Sequence, residues 1–96
     1  MLIFLSDPDV AQNFVLDTAT TTSLKLKWDE PTGEYKEYKL ILLDGQTEVE
    51  TKTTPKGTPT LEFTGLSGGK RYTADLYTVG LNDAESEKVE APFNTG

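Results

Sequence analysis

The sequence predicts an all-β fold, a sandwich of seven short strands with no disulfide, and three observations predict it. Apolar residues recur with period two nearly everywhere, as in strands that have one dry and one wet face. Gly, Pro, Asn and Asp punctuate the chain between those runs, where turns need them. The helical apolar period is hard to find anywhere in the chain. At 96 residues the chain suits one domain with one core.

The chain opens on Met1-Leu2-Ile3-Phe4-Leu5, which has no basic flank and is shorter than the ~7–15 apolar residues of a signal peptide. It is also far too short to span a bilayer. Residues 1–6 are therefore read as a leader or linker and residues 7–96 as the domain. An extended Met1 to Leu5 would add to a sheet edge and give a homodimer by strand pairing.

The opening strand is placed around Val10 to Asp17, with Phe14 and Leu16 as its apolar residues. Ser23 to Trp28 alternates without a break, Leu24, Leu26 and Trp28 on one face and Lys25 and Lys27 on the other. Pro31 and Gly33 end it. Glu37 to Leu43 follows, with Tyr38, Leu40 and Leu42 inward, and Asp44-Gly45 turns the chain into a polar strand from Thr47 to Thr53. Thr54 to Pro59 is a loop by composition, after which Leu61 and Phe63 alternate in a short strand. Ser67-Gly68-Gly69 leads into a longer strand, Tyr72 to Gly80, with Tyr72, Ala74, Leu76 and Thr78 on one side. After the polar loop Asn82 to Glu85, the last strand carries Val89, Ala91 and Phe93 inward. Pro92 points outward there, which a strand tolerates only at an edge or bulge. The expected core is Leu24, Leu26, Trp28, Tyr38, Leu40, Leu61, Phe63, Leu66, Tyr72, Leu76 and Phe93.

Composition removes several functions. A net charge of −7 disfavours nucleic acid and anionic membrane, both of which need clustered Lys and Arg. Cysteine and histidine are both absent, which removes thiol nucleophiles, thiolate metal sites and the commonest general base. Paired carboxylates could serve acid–base chemistry only across a cleft and with one raised pKa, whereas acids such as Asp29-Glu30 fall in loops. No catalytic residue and no cofactor is expected. Calcium would need about six to eight oxygens, and only Asp7 and Asp9, with Asp29 and Glu30 if they share an end, are at hand. Those acids read as an acidic interdomain linker. No Asn-x-Ser/Thr glycosylation sequon occurs.

Two motifs carry a resemblance. Thr22-Ser23-Leu24-Lys25-Leu26-Lys27-Trp28 is followed by Pro31 and then Tyr38, and Gly65-Leu66-Ser67-Gly68-Gly69-Lys70-Arg71-Tyr72 comes later. With Ser86 and Phe93-Asn94-Thr95 they occur in an order and spacing that resembles the fibronectin type III domain over nearly the whole chain. Gly68 stands where that family usually has proline. The resemblance implies an immunoglobulin-like sandwich with Trp28 plugged between the sheets. It also implies a tyrosine corner, the Tyr72 hydroxyl bonding back to the chain near Leu66. The run Trp28, Pro31, Gly33, Tyr35 and Tyr38 is further similar to repeats of receptor-type tyrosine phosphatase ectodomains.

From this resemblance the expected function is a non-catalytic extracellular binding or spacer module of a multidomain cell-surface receptor or adhesion protein. Its expected partners are another protein or neighbouring domains of the same chain. An accessory module of a secreted enzyme and a repeat of an intracellular cytoskeletal array are the alternatives. An engineered scaffold is disfavoured because the loops Asp29–Tyr35 and Gly80–Ser86 are not enriched in Tyr and Ser. The family's integrin-binding Arg-Gly-Asp is absent. Ile41, Leu43, Tyr77 and Val79 fall on strand faces opposite the core. If those strands pair, as the family implies, these residues form a partly apolar outer surface suited to protein binding, with Lys39, Thr73 and Asp75 as its polar rim.

Overall fold

The computed structural model describes residues 8–96, so the pairing strand expected at Met1 to Leu5 and the first expected calcium ligand, Asp7, lie outside the described residues. Among the described residues seven strands form, close to the seven the sequence predicts: β1 Gln12–Ala19, β2 Leu24–Asp29, β3 Glu37–Asp44, β4 Thr47–Pro55, β5 Thr60–Phe63, β6 Arg71–Val79 and β7 Val89–Asn94. They make two antiparallel sheets, one in the order β1-β2-β5 and one in the order β4-β3-β6-β7.

Alternation translates directly into burial on the central strands. Leu24 and Leu26 on β2, Tyr38, Leu40 and Leu42 on β3, and Phe63 on β5 have no exposed surface. Leu66, Tyr72, Leu76 and Phe93 join the same core, and Leu61 packs against it partly buried. An aromatic row crosses the sandwich. Phe93 meets Phe14 at a centroid distance of 5.3 Å, Phe14 meets Trp28 at 6.0 Å, and Trp28 meets Tyr38 at 5.0 Å, all edge to face. Without a cystine, this row is what ties β7, β1, β2 and β3 together.

The tyrosine corner closes one residue later than expected. The Tyr72 hydroxyl accepts from the backbone N–H of Ser67 at 3.0 Å. Gly68 lies close to the neighbouring backbone, since a Cβ built there would stand 3.2 Å from the carbonyl oxygen of Thr21. The amide of Gly69 donates to the carbonyl of Gly96, and the amide of Gly96 to that of Thr20, so the corner is fastened by the main chain.

Two strands depart from the sequence reading. β1 begins at Gln12 instead of Val10, and its register slips twice, between Gln12 and Val15 and between Leu16 and Thr18. Asn13 absorbs the first slip with a φ of 55°, a left-handed conformation that Asn tolerates better than most residues. Leu16 is consequently 39% exposed on an edge strand, where alternation had placed it with the apolar set. β4 continues to Pro55, through what composition marks as loop, because β3 offers partners as far as Glu37. Pro55 and Pro92 both sit on edge strands, where a missing N–H breaks no interior ladder.

Candidate functional site

The outward face of the four-stranded sheet is assembled by register. Thr53, Lys39 and Tyr77 form one cross-strand row. Thr51, Ile41, Asp75 and Glu90 form the next, and Glu48, Leu43, Thr73 and Pro92 the one beyond. Ile41, Leu43 and Tyr77 thus share one face, each half-buried. Lys39 covers part of Tyr77, its ammonium 5.1 Å from the ring centroid and 2.5 Å from Oε2 of Glu85.

Val79, expected on this face, is a correction. It is only 5% exposed. The segment after β6 folds back beside it, with Gly80 N–H on the carbonyl of Ala84 and an isolated bridge between Val79 and Glu85. Glu37 flanks it on the other side. A residue hemmed in on both sides offers no contact surface, so the apolar part of the face reduces to Ile41, Leu43 and Tyr77.

Asp75, which the sequence places on or beside the patch as part of its polar rim, is buried. It stands in the middle of the face on a central strand, between Ile41 of β3 and Glu90 of β7, and is only 7% exposed. Burial raises its carboxyl above the ordinary aspartate value, the Lys88 ammonium opposes that, and Glu90 adds to it. The available signal was an aspartate inside a strand otherwise rich in β-formers, a residue type depleted there.

At the end of the domain that carries the Asp29–Tyr35 loop, Asp9, Asp29 and Glu30 each have a donor. Asp9 accepts from Thr32 at 2.7 Å, Asp29 from Asn13 at 2.6 Å and Glu30 from Tyr35 at 3.0 Å. Among the described residues, no three His, Cys, Asp or Glu side chains come together as a metal-holding group. The loop after β6 is tied by ion pairs of Asp83 with Lys36, just before β3, and of Glu85 with Lys39 in β3. Its exposed apolar residue is Leu81, at 65%. No helix among the described residues is long and apolar enough to cross a membrane.

Residues 8–92 match the family model of the fibronectin type III domain. Among solved structures, the chain is similar to domains d3–d4 of the rat CD45 extracellular region, with a TM-score of 0.82 and 17% identity over 94% of this chain and 51% of that one. It is likewise similar to a segment of two fibronectin type III domains from chicken tenascin, with a TM-score of 0.82 and 21% identity over 91% of this chain and 49% of that one. At such identities the likeness is one of fold, and the chain spans about half the length of each structure.

Proposed function

Because the chain belongs to the fibronectin type III domain family, we propose that it is a non-catalytic binding and spacer module of a larger cell-surface or adhesion protein. Domains of this family are typically non-catalytic and either contact other proteins or space their neighbours in longer chains. In this reading residues 7–96 form the domain and residues 1–6 lead into it. The module works outside the cell, within an ectodomain of the receptor tyrosine phosphatase kind. The structural neighbours, an extracellular region and a tenascin segment, support that setting.

The observation that carries the binding role is the placement of Ile41, Leu43 and Tyr77. Three half-buried apolar side chains stand on adjacent rows of an outward sheet face, bordered by Lys39 and Thr73. A patch of this composition suits a protein partner, since apolar area gives affinity and the polar border gives register. The test is Tyr77→Lys, compared with the unaltered chain against a panel of cell-surface ectodomains by surface plasmon resonance. Loss of a partner, with an unchanged circular dichroism spectrum, is the expected result. A variant that stays a folded monomer and keeps every partner overturns the reading.

A further inference from the structure

Asp75 poses a physical problem that folding does not solve. Its neighbours Ala74 and Leu76 are 0% and 1% exposed in the core, so Asp75 points to the opposite, outward face, yet it is itself only 7% exposed. Its Oδ1 is buried and has no hydrogen-bond partner among the described residues. The two lysines nearest Asp75 on that face make their ion pairs with other acids. Lys88 holds its ammonium 3.5 Å from Oε2 of Glu90, and Lys39 holds its own 2.5 Å from Oε2 of Glu85. No ion pair to Asp75 exists among the described residues, although the charge of Lys88 attracts it. A well-packed apolar side chain at this position would stabilise the sheet better than a buried carboxylate without a donor. Among the described residues Oδ1 has no N–H donor, and a partner's side chain can supply one.

We propose that the outer face docks its partner protein through an arginine side chain, whose guanidinium is received jointly by Asp75 and the facing Glu90. This rests on the binding role given above and adds the chemistry of the partner. Asp75 and Glu90 are directly opposed on neighbouring strands, and the Glu90 carboxylate is near enough to raise the Asp75 carboxyl, so one planar donor can span both. A guanidinium presents five N–H donors in a rigid fork and stacks on aromatic rings, whereas an ammonium is a compact point charge. Ile41 and Tyr77, beside Asp75 on the same face, provide the apolar wall and the ring against which the arginine stem lies. The frame suits a side chain better than a hydrated metal ion, which would need about six to eight oxygens. A second copy of this chain is a poorer occupant. Its one arginine, Arg71, does lie on this face, but two chains at −7 each repel.

A random dodecapeptide library selected on the full chain tests the proposal. Each selected sequence is resynthesised with arginine, lysine or citrulline and measured by calorimetry on the unaltered protein, on Asp75→Asn, on Glu90→Gln and on Tyr77→Ser. Selected peptides are expected to share an arginine whose change to citrulline weakens binding about tenfold on the unaltered protein and hardly at all on Asp75→Asn. Equal loss on both proteins, or no enrichment of arginine, overturns the arginine site. Should peptides bind Asp75→Asn normally but fail on Tyr77→Ser, the face still binds and only the arginine site falls. If neither substitution matters, the binding face itself falls. Concentration-dependent self-association that Arg71→Gln abolishes assigns Asp75 to a second copy and overturns the partner protein.

Discussion

The phenol oxygens of Tyr35 and Tyr38 meet at 2.8 Å inside the domain, and Tyr35 donates onward to Oε1 of Glu30 at 3.0 Å. Tyr35 has one proton to give, and Glu30 takes it, so Tyr38 donates to Tyr35. The chain Tyr38–Tyr35–Glu30 therefore ties the loop after β2 to the core of β3. Lys56 caps it, its ammonium 5.0 Å from the centroid of the Tyr35 ring. Burial holds both phenols above the ordinary tyrosine value, which keeps both as donors at neutral pH.

Tyr35→Phe removes the acceptor to which Tyr38 donates and leaves the proton of a fully buried hydroxyl without an acceptor. The expected cost is about 1–2 kcal/mol, read as a lower urea midpoint at unchanged slope. An unaltered midpoint would show that the hydroxyl chain contributes nothing to stability.

Trp28→Ala deletes the centre of the aromatic row, which touches Phe14 on one side and Tyr38 on the other. A cost of roughly 3–5 kcal/mol is expected, enough to unfold much of a marginal domain. Thermal denaturation followed by near-ultraviolet circular dichroism measures it, and a melting temperature close to that of the unaltered chain would refute the packing.

Tyr72→Phe leaves the buried ring in place and removes only the acceptor of the Ser67 amide. The loss is expected at about 1 kcal/mol. Amide hydrogen exchange at Ser67 should quicken by a larger factor than exchange in β3. Uniform acceleration across the sheet would instead mean that the corner has no local role.

Asp75→Asn removes a charge that the folded state disfavours. Because burial raises the folded carboxyl above its unfolded value, its stabilising contribution is full below the ordinary carboxylate range and is lost as pH rises through the folded pKa. The variant is therefore expected to match the unaltered protein near pH 3 and to exceed it at pH 7 by about 1 kcal/mol. Chemical denaturation at both pH values decides. A difference that is constant with pH, or largest in acid, would mean that Asp75 is not held against its charge.

The period of the apolar pattern was enough to place β2, β3, β6 and β7, since each crosses the core with every second side chain inward. Gly65 to Tyr72 marked the corner to within one residue. β1 was less legible, because a bulge at an edge strand shifts the inward set without altering composition. Tyr35 is 3% exposed but precedes β3 in a loop, where no alternation marks it as core.

The sequence by itself determined which faces of most strands would be dry, and with that the sandwich, its tryptophan plug and the edge position of Pro92. Such information is local, because pleating sends neighbouring side chains to opposite sides whatever lies beyond the strand. What happens on an outward face is not local. Only the tertiary structure decided that Val79 is covered by the returning loop and that Asp75 is enclosed between Ile41 and Glu90. Burial there depends on which strands lie alongside and in what register, and residues many positions away in the chain set both.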